Sequence, residues 1–585
     1  MLSSLQKRWR LADPPQETVD RLVRELNVTP TLARLLINRR VETADDARFF
    51  LENDLSRLHD PFLMKGMDAA AERVLRAIEN REKITAFCDY DVDGVTSAAF
   101  LIHFFRDLGV EIDDYLPERL REGYGLNAQA IHEIHSRGTR LIITADCGIT
   151  AVEEVRTARA LGVDVIISDH HQVGPQGLPE AVAVLNPHRS DCTYPYRFLS
   201  GVGIALKLAQ AVRSRLLAAG WDRERLPNLK RHLDLFALGT IADVAPLTGE
   251  NHLLSALGLE VMTVSAKPGL IALKEVAGVT GAVTARSVGF GLGPRLNAAG
   301  RLGKADAGLH LLISPDLREA MELAAVLDRT NQERKDVQER VLEEAEYLME
   351  REVNLEKDRV IVLASENFHP GVVGIAASRL VEKYFRPTVL IALEGEVGKG
   401  SGRSIPRFNL HKAFIECASH LVQFGGHAYA AGLTIRKDCV PHFRDAMNRV
   451  GERILQPEDL IPEMKIDAEI SLEEIDLKFY RSLQQFEPCG PENPVPVFLL
   501  RNVSVSGART MGAGGGHVRF QARQGSRSVD VVGFNLAAEL FTLLETQDAL
   551  DLAGEVALND WNGQRKVEMR LLDLRPAAKT APQAG

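Results

Sequence analysis

The sequence predicts an α/β protein in which a parallel-sheet domain and a second α/β domain are joined by a long helix and followed by a small C-terminal β-barrel. Short apolar runs alternate with helical patterns between residues 84 and 247, which is typical of a parallel sheet with crossover helices. A charged stretch without proline runs from residue 316 to 352 at helical spacing. After Pro457 the pattern changes to short alternating strands separated by glycine-rich turns, which indicates a barrel such as an OB-fold.

The size and composition are those of a multidomain globular protein. The chain has 585 residues, which at roughly 150 residues per domain corresponds to about four units. It is 45% hydrophobic and 26% charged, and its apolar stretches stay well short of the ~20 residues of a membrane-spanning helix. We therefore expect neither a membrane-inserted nor a disordered protein.

The N-terminus, the cysteines and the charge limit the class of protein further. The first ten residues lack the apolar core of a signal peptide, so we expect a cytoplasmic protein. The six cysteines contain no CxxC pair, which argues against a zinc ribbon and a disulfide scaffold. The net charge is −10, yet residues 499–535 carry five arginines and one acid. This stripe is either a contact for a phosphate backbone or a solvated basic face.

The patterns divide the chain into six segments. We predict an N-terminal segment of short helices at 1–60, the first α/β domain at 61–315 and the connecting helix at 316–352. The second α/β domain follows at 353–456, the barrel at 457–575, and a tail that we expect to be disordered at 576–585. Within the first α/β domain the runs 84–88, 141–145 and 163–168 are the predicted strands.

The most informative motif is a triplet of alternating aspartates, Asp89, Asp91 and Asp93, directly after the run 84–88. Side chains two residues apart share a face of a strand, so these carboxylates converge where the strand ends. Like charges this close require a cation to remain ionised, and carboxylate oxygens suit hard divalent ions such as Mg²⁺ or Mn²⁺. An EF-hand calcium loop would need glutamate at the twelfth position, where Phe100 stands. A solvated acidic turn remains the alternative for the motif taken alone.

Further aspartates and histidines follow other apolar runs. The next two predicted strands end in Asp146 and in Asp169-His170-His171, and ligands bind at the carboxyl ends of strands in parallel sheets. Another apolar segment ends in Asp243. Together these positions supply five carboxylates and an imidazole, enough for two divalent cations: Asp89, Asp91, Asp93, Asp146, His170 and Asp243. Because two such cations can hold a phosphate and activate a bound water, the predicted reaction is phosphoester hydrolysis.

Three further features bear on a phosphate substrate. His171 either contacts the scissile phosphate or relays a proton, or it is a structural histidine. The segment Gly400-Ser401-Gly402-Arg403 offers backbone N–H groups, a hydroxyl and a guanidinium to a phosphate. The segment 295–301 adds two arginines, Arg295 and Arg301, although each of these segments is also compatible with an ordinary turn.

These motifs resemble those of the DHH phosphoesterase superfamily in their order and spacing: Asp89–Gly94, Asp146, Asp169-His170-His171 and Gly239–Asp243. Three later blocks, at 293–302, 400–404 and 425–432, are similar to the RecJ family of single-stranded-DNA-specific exonucleases. The resemblance covers essentially the whole chain and implies a DHH domain, a DHHA1 domain and a C-terminal OB-fold. Two positions depart from the family pattern, His252 for an expected arginine and Phe368 for an expected tryptophan.

The resemblance implies a 5′→3′ exonuclease that degrades single-stranded DNA to mononucleotides in recombination and repair, with two divalent cations, Mn²⁺ or Mg²⁺. It assigns metal ligation to the six residues above and catalysis to Asp146 and His171, with His171 at the scissile phosphate. It places substrate contacts at Arg119, Arg301, Ser401, Arg403 and His427. The expected partners are single-stranded DNA with a 5′ end, a RecQ-type helicase and a single-strand-binding protein. We expect a monomer without membrane association.

Two alternatives remain open. A small-substrate DHH phosphodiesterase, acting on oligoribonucleotides or cyclic dinucleotides, would share the first four motifs but would not need a barrel over residues 457–575. A non-catalytic single-strand-binding scaffold would be expected to have lost a metal ligand, whereas all six are present.

Overall fold

The computed structural model describes residues 2–118, 122–302, 306–561 and 564–577. The α-helices are α1 Gln16–Leu26, α2 Pro30–Asn38, α3 Ala44–Leu51, α4 Met67–Glu79, α5 Val92–Asp107, α6 Ala128–Ser136, α7 Val152–Ala160, α8 Gly201–Ala218, α9 Leu233–Ala242, α10 Gly249–Thr263, α11 Pro268–Val276, α12 Ala285–Ser287, α13 Gly293–Leu302, α14 Asp306–Ile313, α15 Leu317–Glu352, α16 Val373–Tyr384, α17 Leu410–Glu416, α18 Val440–Ile454, α19 Leu477–Leu483 and α20 Ala537–Thr546. The strands are β1 Arg8–Leu11, β2 Ile84–Cys88, β3 Asp113–Tyr115, β4 Leu141–Ala145, β5 Asp164–Ser168, β6 Ala183–Leu185, β7 Ile361–Ser365, β8 Thr388–Glu394, β9 Val397–Arg403, β10 Leu421–Gly426, β11 Ala430–Arg436, β12 Glu463–Ile466, β13 Ala468–Glu469, β14 Phe498–Met511, β15 His517–Gln524, β16 Arg527–Gly533, β17 Leu550–Trp561 and β18 Gln564–Pro576.

The chain divides into two compact units. Unit 1 comprises residues 1–38, 333–483 and 496–585, and unit 2 comprises residues 39–332 and 484–495. The predicted connecting helix is confirmed as α15, which has 36 residues and passes from unit 2 into unit 1. Within the described part of the chain no single helix has the length and apolarity to cross a membrane, and one pair bent by 85°, α10 with α11, meets these requirements only jointly.

Unit 2 contains the predicted parallel sheet, with strand order β3-β2-β4-β5-β6 and parallel pairing throughout. β2 and β4 are buried at every position because both faces of the sheet are covered. Successive residues of β2 enter different cores: Ala86 packs in the cluster that includes α5 and α8, and Phe87 in the cluster that includes α6 and α7. The parallel order brings the carboxyl ends of β2, β4 and β5 to one edge of the sheet.

Unit 1 contains the second α/β layer and the barrel. Strands β10-β11-β9-β8-β7 form a mixed sheet, in which only the β7–β8 pair is parallel. The barrel has the strand order β14-β15-β16-β18-β17 and is closed by pairing of β14 with β17, with α20 inserted between β16 and β17. The predicted barrel is therefore confirmed, although the pattern indicated short strands and three of its strands, β14, β17 and β18, have 14, 12 and 13 residues.

The ends of the chain differ from the sequence prediction in two details. The N-terminal segment contains α1 to α3 as helices, but it begins with strand β1, which pairs in parallel with β12. A four-residue strand whose partner lies far along the chain leaves no periodic signal. At the other end Pro576 still belongs to β18, and the remainder of the predicted tail, residues 578–585, lies outside the described residues.

A buried aspartate holds the N-terminal segment on the barrel. Trp9 Nε1 donates to Asp573 Oδ2 at 2.9 Å, and the main-chain N–H of Leu5 donates to Asp573 Oδ1 at 3.3 Å. The guanidinium of Arg575 lies 4.6 Å from the centre of the Trp9 ring. Asp573 is fully buried, so these donors replace the water that its side chain loses on folding.

We expect Asp573→Ala to loosen β1. The substitution leaves the Trp9 and Leu5 donors without an acceptor. Losing these hydrogen bonds costs about 2 kcal/mol, which corresponds to about 30-fold faster amide exchange. Hydrogen exchange of the Arg8–Leu11 amides measures this directly. The matched control is Asp548→Ala, the same substitution on an exposed aspartate of the same unit, which should not change exchange. Equal exchange in wild type and Asp573→Ala would contradict this anchoring role.

Candidate metal centre and phosphate site

The aspartate triplet lies at the junction between β2 and α5. Asp91 caps α5, because its Oδ1 accepts the N–H groups of Asp93 and Gly94 at 2.9 and 3.2 Å. The turn is so tight that a Cβ on Gly94 would lie 2.1 Å from the main-chain O of Asp89, so only glycine fits there. The local sequence thus bends the chain and leaves three carboxylates at the end of β2.

Asp93 lies at the bottom of the site and is fully buried. Its carboxylate accepts the main-chain N–H groups of Gly201 and Val202, at the start of α8, at 2.5 and 2.9 Å. A Cβ on Gly201 would lie 2.6 Å from Asp146 Cβ, so glycine allows α8 to approach both carboxylates. The first turn of α8 therefore holds Asp93 with backbone donors and the positive end of its dipole.

The remaining predicted ligands converge on Asp93. His170 Nε2 lies 2.9 Å from Asp146 Oδ1, 3.8 Å from Asp93 Oδ2 and 3.9 Å from Asp243 Oδ2. Asp146 follows β4 and has φ +62°, a left-handed conformation that aspartate tolerates better than most residues. Asp243 lies at the C-terminus of helix α9, so the apolar segment that precedes it is a helix rather than a strand.

The electrostatics of this cluster favour binding of a cation. Burial, and then the charge of Asp91, raises the pKa of Asp93 to about 7. Burial and neighbouring aspartates raise the pKa values of Asp146 and Asp243 well above their usual range. Burial and the neighbouring His171 lower the pKa of His170 to about 3, so its imidazole stays neutral, as metal ligation requires.

The ligand atoms fit divalent cations. Three sets of donors each have their ligand atoms within 4.8 Å of one another: Asp89, Asp91 and Asp146; Asp93, His170 and Asp243; Asp146, His170 and His171. Asp146 and His170 recur in two sets, as expected where two cations share ligands. The structure thus brings together all six residues that the sequence predicted for metal ligation.

His171 is held beside the cluster by a buried aspartate. Its Nδ1 lies 2.8 Å from Asp169 Oδ1, and Asp169 also accepts the N–H of Ile149 at 2.8 Å. Burial would lower the pKa of His171, but the hydrogen bond to Asp169 and the charges of Asp169, Asp91 and Asp89 together outweigh burial and raise it. Because Nδ1–H donates to Asp169, Nε2 is the ring nitrogen that remains for a substrate oxygen.

Helix α13 packs on the aspartate turn. Asn297 Oδ1 accepts the main-chain N–H of Val92 at 3.2 Å, and a Cβ on Gly300 would lie 2.9 Å from the main-chain O of Tyr90. Arg301 follows Gly300 in this helix, and its side chain lies outside the described residues. Arg295, in contrast, has a structural role, since its Nε donates to Asp328 Oδ1 at 2.9 Å. Arg119 also lies outside the described residues.

The other predicted substrate residues lie in unit 1. Arg403 Nη1 donates to Ser401 Oγ at 3.0 Å, and both side chains lie over the first turn of α16, where a Cβ on Gly374 would be 2.9 Å from each. A guanidinium, a hydroxyl and a helix N-terminus in one place bind anions well. His427 lies in the turn between β10 and β11, where its N–H donates to the main-chain O of Ala430 at 2.7 Å.

Sequence patterns did not reveal every residue that shapes the centre. Tyr124 OH lies 3.0 Å from His171 Nδ1 and 3.1 Å from the main-chain O of Asp146. Asn186 Nδ2 donates to the main-chain O of His171 at 2.8 Å. Both are single polar residues in loops, and only the position of Asn186 directly after strand β6 could have indicated a place at the carboxyl edge of the sheet.

Three domain families match the chain in order. They are the DHH family, N-terminal domain, over residues 83–240, the DHHA1 domain over 357–452 and the RecJ OB domain over 466–573. The single-stranded-DNA-specific exonuclease RecJ of Bacillus subtilis is 40% identical over 98% of this chain and 71% of its own. The protein of the same name from Escherichia coli is 35% identical over 98% of this chain and 100% of its own.

Solved structures extend the similarity to the fold. The crystal structure of RecJ in complex with Mn²⁺ from Thermus thermophilus superposes with a TM-score of 0.82 at 31% identity, over 98% of this chain and 81% of that chain. The Mg²⁺ complex from the same organism superposes with a TM-score of 0.77. Proteins with this fold thus bind the two metals that the carboxylate-rich centre favours.

We expect Asp243→Asn to have opposite effects on the metal-free and the metal-bound protein. Removing one negative charge from the crowded cluster relieves repulsion, so the unfolding midpoint in EDTA should rise by about 2 °C or more. Removing a ligand weakens metal binding, so added Mn²⁺ should stabilise the variant less than wild type. Calorimetry in EDTA and in Mn²⁺ measures both effects.

The matched control is Asp45→Asn, on an aspartate of the same unit whose side chain is 87% exposed. It should change neither midpoint. The assignment of Asp243 to the metal cluster would be contradicted by an Asp243→Asn variant with a lower unfolding midpoint than wild type in EDTA and the same rise of the midpoint in Mn²⁺.

Proposed function

The chain belongs to the RecJ family of single-stranded-DNA-specific exonucleases, and we propose that it removes nucleotides one at a time from the 5′ end of single-stranded DNA. It is a metal-dependent enzyme that uses Mn²⁺ or Mg²⁺. The observation that carries this proposal is the convergence of five carboxylates and one neutral imidazole on the same edge of the parallel sheet. Its biological setting is DNA recombination and repair.

Asp89, Asp91, Asp93, Asp146, His170 and Asp243 would hold the two cations. When bound, such a pair supplies positive charge for the scissile phosphate and for the leaving oxygen, and lowers the pKa of a water. Asp146 takes part in catalysis as the ligand common to two of the donor sets. His171, with Asp169 holding its Nδ1, presents Nε2 to a phosphate oxygen.

Ser401 and Arg403 are the proposed site for the 5′ phosphate. Both side chains lie at the N-terminus of α16, so a terminal phosphate would meet a guanidinium, a hydroxyl and the positive end of a helix dipole. Three more residues are proposed as substrate contacts: His427, Arg119 and Arg301. The side chains of both arginines lie outside the described part of the structure. A terminal phosphate site explains why an enzyme would begin at an end rather than within a strand.

The barrel is the proposed path of the strand beyond the catalytic domain. Phe534 is 46% exposed, the guanidinium of Arg570 lies 5.4 Å from its ring centre, and His517 packs against it edge-on at 5.3 Å. An exposed aromatic side chain beside a cation is a surface on which a base can stack, and stacking tolerates every base. The predicted arginine stripe is only partly available, since Arg501 pairs with Glu469 at 2.7 Å and lies 3.6 Å from Asp551.

The proposed activity suggests a role for each domain and the proteins that would act together with the enzyme. We propose the catalytic domain at 61–315, the phosphate site in 353–456 and the strand path in 457–575. Single strands arise where duplexes are unwound and coated, so a RecQ-type helicase and a single-strand-binding protein are the proposed partners of a monomeric, cytoplasmic enzyme. The barrel and the terminal phosphate site favour this function over a small-substrate phosphodiesterase, and the complete ligand set favours it over a non-catalytic scaffold.

The direct test is digestion of a 3′-labelled single strand with a 5′ phosphate in Mn²⁺. We expect a ladder of progressively shorter labelled products, and no digestion when the 5′ end lies in a blunt duplex. Asp146→Asn should lower the rate about 100-fold or more, and asparagine is chosen because it tolerates the positive φ of this position. A strand that shifts in a gel without cleavage, or cleavage of dinucleotides alone, would overturn the proposal.

The phosphate site predicts a selective defect for Arg403→Ala. Wild type should degrade a 5′-phosphorylated strand about tenfold faster than the same strand with a 5′ hydroxyl. The strand with a 5′ hydroxyl has no terminal phosphate and cannot accept the charged hydrogen bonds from Arg403. Arg403→Ala should degrade both strands at the slower rate. The control Arg436→Ala, at the end of the neighbouring strand β11, should keep the wild-type ratio. An unchanged ratio in Arg403→Ala would place the 5′ phosphate elsewhere.

The barrel surface predicts weaker strand binding in Phe534→Ala. Loss of one stacked base lowers affinity by about tenfold, measurable as fluorescence anisotropy of a labelled strand in EDTA, where cleavage is prevented. Tyr347→Ala is the control, because it removes an aromatic side chain of similar exposure, 52%, from helix α15 rather than from the barrel. Equal affinities of wild type and Phe534→Ala would exclude this surface from the path of the strand.

A further inference from the structure

An exposed aromatic surface lies beside the metal centre and has no role in metal ligation. Phe198 is 50% exposed, and its ring contacts Tyr196 at 5.9 Å and His188 at 6.4 Å between ring centres. We call these three residues the aromatic platform. The adjacent Arg197 is exposed and adds a positive charge.

The chain connection places the platform close to the metal ligands. Phe198 precedes Gly201 by three residues, and the N–H of Gly201 donates to Asp93 Oδ2. Three residues span at most about 11 Å, so the backbone of Phe198 lies within that distance of the turn that holds Asp93. Leu199, between them, is buried and fixes the direction of the segment.

A second, independent set of contacts places the platform next to His171. Asn186 is fully buried, its Nδ2 donates to the main-chain O of His171 at 2.8 Å, and its Oδ1 accepts the N–H of His188 at 2.7 Å. The same amide group thus positions both histidines. Since the ring of His188 contacts Phe198, these hydrogen bonds connect the platform to the loop that carries His171.

The platform is rigid rather than a loosely attached loop. Asn251, which is fully buried, donates from Nδ2 to the main-chain O of Phe198 at 2.6 Å. Tyr196 OH lies 3.2 Å from the main-chain O of Pro246 and 3.2 Å from Thr248 Oγ1. The backbone on both sides of the Phe198 ring is therefore fixed, and the half-exposed ring is held in place without being buried.

We propose that Phe198, supported by the ring of His188, stacks against the nucleobase of a nucleotide adjoining the scissile phosphate. This inference rests on the proposed exonuclease function and names a substrate contact of that same site. A phosphate held at the metal centre leaves the base of its nucleotide to be accommodated nearby. A stacking contact suits an enzyme that removes every nucleotide in turn, because each of the four bases offers a π-face to an aromatic ring.

The test combines changes in the protein with changes in the substrate. Full-length wild type and Phe198→Ala are assayed in Mn²⁺ on 5′-phosphorylated, 3′-labelled single strands with one abasic site at the first, second or third nucleotide, or with none. For wild type we expect an abasic site at the first or second nucleotide to lower the rate of the cut beside it about tenfold. Phe198→Ala should cut the normal strand about tenfold more slowly and lose that sensitivity, whereas Phe198→Trp should keep both the rate and the sensitivity.

The control is Tyr347→Ala, which removes an aromatic side chain of similar exposure, 52%, from helix α15 and should behave as wild type. Unfolding midpoints of the variants should match that of wild type, since the ring is half-exposed. The proposal is overturned if Phe198→Ala cuts normal strands at the wild-type rate, or if it stays as sensitive as wild type to the abasic sites. Failure of wild type to digest any single strand would instead refute the proposed function.

Discussion

Carboxylates at the end of the parallel sheet repel one another, and the surrounding helices and loops hold them together against this repulsion. Asp93, Asp146 and Asp243 are brought within reach of one imidazole nitrogen, and their pKa values rise because burial removes the water that would otherwise screen them. Such a cluster lowers the stability of the metal-free fold, and the surrounding structure must hold it in place. Backbone donors at the start of α8 satisfy Asp93, and the first turn of α5 satisfies Asp91. Divalent cations convert the same repulsion into tight binding.

Hydrogen bonds from neighbouring elements fix the segments that carry the cluster. Asp169 orients His171, Asn186 ties the loop after β6 to the same histidine, and α13 binds the aspartate turn through Asn297. None of these three residues is among the proposed metal ligands, yet each fixes a backbone segment next to one. Unit 1 supplies the proposed phosphate site at the start of α16 and a barrel with an exposed aromatic ring beside a cation. In the proposed function, metal binding, recognition of a strand end and strand binding therefore belong to separate elements.

Much of this organisation could be predicted from the sequence, for physical reasons. The strands β2, β4 and β5 are buried on both faces and therefore form continuous apolar runs, and ligands at their carboxyl ends follow from the parallel topology. Strand β1 was missed, because its pairing partner is a distant segment. Tyr124 and Asn186 were missed because their role depends on contacts between loops. His252, a departure from the family pattern, stacks on Phe50 at 4.2 Å and lies 3.3 Å from the main-chain O of Phe486, a contact that only the fold reveals.

The six side chains at the edge of the sheet are proposed to hold two divalent cations. Crystals grown in Mn²⁺ and measured at the manganese absorption edge would show whether they do, since anomalous scattering locates each ion without reference to the protein coordinates. We expect two anomalous peaks, each within about 2.5 Å of oxygen or nitrogen atoms from Asp89, Asp91, Asp93, Asp146, His170 and Asp243. Peaks elsewhere on the surface, or none at this cluster when the protein is active in the same Mn²⁺ buffer, would contradict this proposal.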